Sequence, residues 1–279
     1  MIEIRDLTKK FGDFTAVDHL SLTINTGEFF GLLGPNGAGK TTTISMISTV
    51  LLPNSGEVLV NGEPLTRKSS AIKRKISVIT QEYSLRMDMT CDEVMEYQGR
   101  LYYMPLKEIR QKTDELLDFV GLKDFRKRSV RNLSGGLKRR LMICRALMTE
   151  PEIILLDEPT AGMDAIARRQ TWGILKELQK KNITIILTTH YMEEAEALCD
   201  RVALIDSGKL SYIDTPRGLI DDLGRYAVDK TVDGKLESRY FADRQEAIDY
   251  LTSEEDADMR NTTLEDVFIQ RIGKVLMKK

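Results

Sequence analysis

At 279 residues the chain is long enough for one large α/β domain and a small second one, each able to bury a core. Charged residues make up 30% and hydrophobic ones 42%, and the formal charge is −2, which fits a soluble globular protein and argues against an overall basic field that gathers nucleic acid. Three scattered cysteines, Cys91, Cys144 and Cys199, form no C-x-x-C pair, so neither a disulfide framework nor a zinc site is implied, and a reducing compartment fits.

Residues 1–20 carry Glu3, Asp6, Lys9 and Lys10 among their apolar positions, unlike the core of a signal peptide. No apolar run approaches bilayer-spanning length, so work at a membrane would need another chain to do the spanning. Residues 1–7 and 15–24 alternate apolar and polar around Gly12-Asp13, which predicts an antiparallel hairpin. The apolar run 29–33 predicts a buried strand, and residues 42–52 predict a helix stopped by Pro53. Residues 57–60 predict a strand closed by Asn61-Gly62, and residues 76–79 another that ends near Gln81. From about 84 to 148 the pattern is helical. Thr90-Cys91-Asp92-Glu93 is a capping box, residues 106–120 an amphipathic helix with Gly121 as its C-cap, and residues 141–148 part of a third helix ended by Pro151. The apolar runs 153–156 and 183–187 flank a helix at 165–181, as buried parallel strands do, and residues 202–205 add a strand. Thr215-Pro216 opens a further helix. After Gly224 the composition turns polar, Asp243 and Glu246 form a D-x-x-E cap, and residues 263–275 close the chain as an amphipathic helix. The expected division is residues 1–224, with a helical subdomain at about 84–148, and a small appended α/β element at 225–279.

Between the strand at 29–33 and its helix stands Gly34-Pro35-Asn36-Gly37-Ala38-Gly39-Lys40-Thr41, which fits the phosphate-binding loop G-x-x-x-x-G-K-[ST]. Gly37 and Gly39 let the backbone curl so that successive N–H groups face phosphate oxygens, and the following helix adds its positive end. Lys40 brings a charge to the outer phosphates, and the Thr41 hydroxyl can hold magnesium. Asp157 and Glu158 directly follow the strand at 153–156. There a carboxylate can orient magnesium, and its neighbour can take a proton from an attacking water. Ser134 reads as the N-cap of a helix, and Gly135 and Gly136 after it would let a ligand approach the backbone; alone, such a motif is usually an ordinary cap.

The order of these motifs carries more than each alone. The loop at 34–41, Gln81, Leu133-Ser134-Gly135-Gly136, residues 153–158 ending in Asp157-Glu158, Ala161-Gly162-Met163-Asp164 and His190 together resemble the nucleotide-binding domain of the ATP-binding cassette (ABC) family. The resemblance covers about residues 1–215. It implies an α/β P-loop NTPase core with an antiparallel β subdomain and an inserted helical subdomain. It also implies bound ATP and Mg2+. Phe11 stands where the family stacks an aromatic on adenine, with Val17 beside the ring, and residues 34–42, ending in Thr42, would hold the phosphates. Thr41 and Gln81 would ligand magnesium, with Asp157 acting through water. Glu158 looks like the general base, and His190 would contact the γ-phosphate. Ser134, Gly135 and Gly136 would touch the ATP held by a second cassette, identical or related, and Asp164 would bridge the two halves. Two departures stand out: Leu137 where many members have Gln, and Phe11 where Tyr is commoner, which keeps stacking but loses a hydroxyl.

The partners so implied are a second ABC ATPase subunit and transmembrane permease subunits, at the cytoplasmic face of the cell membrane. Thr263-Leu264-Glu265-Asp266-Val267-Phe268 resembles a tail of multidrug and antibiotic-resistance exporter subunits, which favours export over import. A soluble member acting on DNA or ribosomes would usually carry two cassettes or an inserted coiled coil, neither of which is present; no nucleic-acid partner is expected. A small-molecule kinase or GTPase on the same loop lacks the signature and His190. Tyr83, Leu85, Met87, Met89, Tyr102, Tyr103 and Met104 suit either a docking groove or a subdomain core, and residues 83–89 are expected to be the more exposed group. The basic runs Arg126-Lys127-Arg128 with Arg131 and Lys138-Arg139-Arg140 read as solvated faces, the second placed to face phosphate or a partner chain.

Overall fold

The structure is a computed structural model and describes residues 1–232, 234–254 and 256–273. Strands β1 (Ile2–Phe11) and β2 (Phe14–Ile24) form the expected antiparallel hairpin. Helix α1 (Lys40–Ile47) follows strand β3 (Phe29–Leu33), and strands β4 (Ser55–Val60) and β5 (Glu63–Pro64) come next. Asn61 and Gly62 join β4 to β5 with φ of 52° and 81°, the left-handed pair of a type I′ turn. These strands make a sheet in the order β2-β1-β4-β5.

Helix α2 (Ser70–Arg74) leads to β6 (Ile76–Ile79). Helices α3 (Cys91–Leu101), α4 (Leu106–Phe119) and α5 (Gly135–Leu147) pack on one another. Strand β7 (Ile153–Asp157), helix α6 (Ala165–Lys180), strand β8 (Thr184–Thr189), helix α7 (Met192–Leu198) and strands β9 (Arg201–Asp206) and β10 (Lys209–Asp214) follow. The central six-stranded sheet runs β10-β9-β3-β8-β7-β6, parallel except for β10. Every residue of β3, β7 and β8 is buried, as expected of strands covered on both faces. Alternate residues feed different cores. Phe29, Leu33, Leu156 and Leu187 face the helical side, while Phe30, Leu32, Leu155 and Ile186 face α1 and the first sheet.

Several expectations are corrected. The helix expected at 42–52 starts at Lys40 and ends at Ile47, because Thr49 turns left-handed (φ 62°) well before Pro53. The helix at 141–148 is the latter part of α5, which starts at Gly135. Neither β10 nor α7 was expected: β10 is an edge strand with scattered burial, and α7 is short. The exposure expected around Tyr83 is reversed. Leu85 is buried, and Met87 and Met89 pack on the helical core, whereas Tyr103 is 92% exposed and Tyr102 is exposed beside it. The cause is hydrogen bonding of 87–89 to 129–131, including Val130 N–H to the Met89 carbonyl at 2.8 Å, while the α3–α4 turn projects with Tyr103 at φ 59°. Arg139 faces neither phosphate nor solvent; it points inward and is 1% exposed.

Helix α8 (Pro216–Leu223) is capped by Thr215. Strands β11 (Tyr226–Val232), β12 (Lys235–Phe241) and β13 (Ala257–Asn261) form an antiparallel sheet in the order β12-β11-β13, with helix α9 (Arg244–Thr252) between β12 and β13 in sequence and capped by Asp243. Helix α10 (Leu264–Phe268) buries Leu264 and Val267 in the same core as the helical side of the central sheet. Its Leu264 N–H donates to Glu196 Oε2 on α7 at 3.0 Å. The expected closing helix 263–275 is thus a short α-helix from Leu264, then a π-helical turn Ile269–Gly273; residues 274–275 lie outside the described residues.

Candidate functional site

The loop between β3 and α1 is shaped by close approach. A Cβ on Gly34 would sit 2.3 Å from the Ile205 carbonyl oxygen. Gly39 adopts φ 102°, and a Cβ there would sit 2.4 Å from the Ala16 carbonyl oxygen. Lys40 is folded back and buried. Its Nζ donates to the carbonyls of Gly34 at 2.8 Å and Pro35 at 3.0 Å. Burial pushes the Lys40 ammonium below its ordinary pKa, and the nearby Glu158 and Asp157 carboxylates oppose that shift.

Sheet order brings the acidic pair to this loop. Asp157 ends β7, and its Oδ1 accepts from Thr41 Oγ1 at 3.0 Å and from Thr188 Oγ1 on β8. Glu158 follows in the left-handed region at φ 46°, a strained setting for a non-glycine residue. Its N–H is held by the Thr188 carbonyl at 3.0 Å. Its Oε1 lies 3.2 Å from His190 Nδ1.

Phe11, Asn36, Gly37, Gly39, Lys40, Thr41, Thr42, Gln81, Glu158 and His190 line one cavity of about 570 Å³. Asp157 stands behind Thr41, and Gly34, Pro35 and Ala38 support the loop without lining it. Val17 does not line it; it is 1% exposed and packs in the core under β1 and β2. Ala161 of the Ala161–Asp164 motif lines the cavity, and so do Phe14 and Ala16, which the sequence had not singled out. The signal for Phe14 was present, since it pairs with Phe11 across the Gly12-Asp13 turn and leaves an exposed aromatic.

Ser134, Gly135, Gly136 and Asp164 lie outside this cavity. Ser134 is exposed, and its Oγ caps α5 by accepting the Leu137 N–H at 3.4 Å. Leu137 itself packs against the helical core. The two glycines have neighbours within the chain: a Cβ on Gly135 would meet the Tyr83 hydroxyl at 2.9 Å, and one on Gly136 the Ala167 Cβ at 2.9 Å. Asp164 is exposed and caps α6 through the Ala167 N–H at 2.8 Å.

Among the described residues no cluster of three or more His, Cys, Asp or Glu could hold a metal ion unaided. The Thr41 hydroxyl, the Gln81 amide and the Asp157 carboxylate offer hard oxygen donors. Such a set fits magnesium that takes its remaining ligands from phosphates and water. No helix of the described residues is long and apolar enough to cross a membrane.

A family model described as ABC transporter matches residues 17–161, more than half of the chain. The linearmycin resistance ATP-binding protein LnrL of Bacillus subtilis (strain 168) is 40% identical over 224 residues, which are 80% of this chain and 72% of that protein. The Nod factor export ATP-binding protein I of Cupriavidus metallidurans is 39% identical over 79% of this chain and 73% of its own length. A solved ATP-binding cassette, a dimer in a post-hydrolysis state bound to ADP and Pi, superposes with a TM-score of 0.69 at 29% identity, covering 77% of this chain and 98% of that one. The loop, Glu158 and His190 thus line one cavity, with Asp157 held behind Thr41, in a fold shared with these cassettes, and the chain belongs to the ABC transporter family as one of its ATP-binding proteins.

Proposed function

We propose that this chain hydrolyses ATP to drive export through separate membrane-spanning subunits. The observation that carries the chemistry is the convergence of Lys40, Glu158 and His190 on one cavity. In this reading the Phe11 ring stacks on adenine, and the loop from Gly34 to Thr42 holds the phosphates with its N–H groups and Lys40. Thr41 and Gln81 hold magnesium, with Asp157 behind them through water; the ion, when bound, draws charge from the phosphate oxygens. Glu158 accepts a proton from the water that attacks the γ-phosphorus, as the bond to the ADP oxygen breaks. His190, 3.2 Å from the Glu158 carboxylate, holds that geometry and contacts the γ-phosphate.

A second cassette completes the site. Ser134, Gly135 and Gly136 at the start of α5 contact the ATP of the neighbouring cassette, and Asp164 bridges the two. The exposure of Ser134 and Asp164 supports this reading, as does the dimeric solved cassette bound to ADP and Pi. Closing a helix N-terminus over the γ-phosphate excludes water and completes the electrostatic cage; hydrolysis reopens the pair. Relatives named for linearmycin resistance and Nod factor export support export as the direction. In this reading the chain works at the cytoplasmic face of a membrane. The small net charge of −2 agrees with a partner that is not nucleic acid.

Lys40→Ala should lose ATP affinity in an equilibrium binding assay; unchanged binding would contradict the phosphate-loop assignment. Affinity purification from membranes should bring down an integral membrane protein. Recovery of ribosomes or DNA instead would redirect the reading to a soluble member of the family.

A further inference from the structure

Arg139 heads the fully buried side chains by size among the described residues. Removing a guanidinium from water is costly unless its donors are well satisfied. Its hydrogen bonds to oxygen go to two successive carbonyls, Nη1 donating to Thr80 at 2.5 Å and Nη2 to Gln81 at 2.8 Å, while its buried Nε has no partner among the described residues. The Tyr83 ring lies over the guanidinium, 5.4 Å from carbon to centroid. Carboxylates act on Arg139 only through space, from Glu194 and Asp157.

Those carbonyls belong to the segment that brings Gln81 to the cavity. The same segment is held along α5 at further points. Arg145 Nη2 donates to Ser84 Oγ at 2.8 Å, Ser77 Oγ donates to the Ala146 carbonyl at 3.0 Å, and Gly135 lies against the Tyr83 hydroxyl. On α5 these contacts recur at helical spacing on one side, so residues 77–84 form a strap along the helix. Arginine suits this place because its planar fork reaches two adjacent acceptors; lysine has a single point of contact.

We propose that Arg139 is a positioning residue: by holding the Thr80 and Gln81 carbonyls it presents the Gln81 side chain to the nucleotide cavity and ties that placement to the helix that Ser134 caps. The proposal rests on the ATPase reading above.

Arg139→Met keeps most of the buried stem and removes both donors. In steady-state assays it should lower kcat about 10-fold while KM for ATP changes less than about 2-fold. In a Glu158→Gln background it should raise the magnesium concentration needed for half-maximal ATP binding. In a Gln81→Ala background it should cause no further loss of kcat, because its effect passes through Gln81. A merely structural residue would give the same fold-loss with or without Gln81. That result, or wild-type kcat in Arg139→Met, overturns the proposal. Should Arg139→Met fail to fold, Arg139→Lys carries the same cycle, and equal losses in both backgrounds again overturn it. A wild-type chain that neither binds nor hydrolyses ATP defeats the ATPase reading itself, whereas normal wild-type turnover with additive losses defeats only the role of Arg139.

Discussion

Glu158 Oε1 and His190 Nδ1 lie 3.2 Å apart, beyond the ends of the neighbouring parallel strands β7 and β8. The register that pairs Asp157 with Thr188 brings the two residues together. The Glu158 N–H donates to the Thr188 carbonyl and, at 3.2 Å, to its hydroxyl, and φ 46° turns the residue out of the sheet toward the phosphate loop. In the proposed role of base, a carboxylate held this way would not have to reorganise when a substrate arrives.

Glu158→Gln should therefore keep the shape of the cavity and remove the proposed proton acceptor. ATP hydrolysis should fall by about 10²–10⁴-fold with ATP binding retained. A closed dimer should accumulate with ATP, visible by light scattering. Normal turnover in this variant would remove Glu158 from the base role.

Phe11 and Phe14 face each other across the hairpin turn at one end of the cavity, both exposed. Phe11→Ala should weaken ATP binding about 10-fold, the scale of one lost aromatic stack, while Phe11→Tyr retains affinity. Titration with a fluorescent nucleotide decides this. Equal affinity in all three proteins would place the base elsewhere.

Gly136 faces Ala167 across the α5–α6 contact, with no room for a methyl group. Gly136→Ala should destabilise the fold by about 1–3 kcal/mol through overpacking. Ala167→Gly should recover part of that loss, measured by denaturant unfolding. Unchanged stability in Gly136→Ala would show that the α5–α6 contact gives way to a methyl group without cost.

The Asp266 carboxylate is buried, which would raise its pKa, but Arg260 and the Thr263 N–H outweigh that and hold it at about 2 against an ordinary 3.8. A carboxyl depressed in the folded state adds stability above its unfolded value and loses it as pH falls through its folded value. The contribution is thus present at neutral pH and lost between about pH 4 and pH 2. Asp266→Asn should lower Tm at pH 7 by about 2–4 °C per kcal/mol lost, and the gap to wild type should narrow over that acid window. A gap that stays constant with pH would mean that the carboxylate charge is not what stabilises α10.

Local chemistry explains why so much could be read along the chain. Alternation in 15–24, the continuous apolar run of β3, the Thr90 capping box and the glycine-rich loop are patterns within one element, set by side-chain period and backbone freedom. Boundaries were poorer where a backbone turn ended an element, as at Thr49, and where an edge strand such as β10 carries no apolar run. Exposure of the Tyr83 segment could not be read because it depends on hydrogen bonds to residues 129–131, far along the chain.

The amino-acid order by itself determined which residues could do phosphate chemistry: the loop from Gly34 to Thr41, the acid pair after an apolar strand, the capped glycines after Leu133 and a histidine after β8. Only the tertiary structure decided which of them meet. Strand order β3-β8-β7 sets Asp157 beside Thr41 and His190 beside Glu158, leaves Ser134 outside their cavity, and turns Arg139 inward to Gln81. The physical reason is that tertiary packing joins residues far apart on this chain, Glu158 with Thr188 at 30 positions and Thr41 with Asp157 at 116, and no local pattern encodes them.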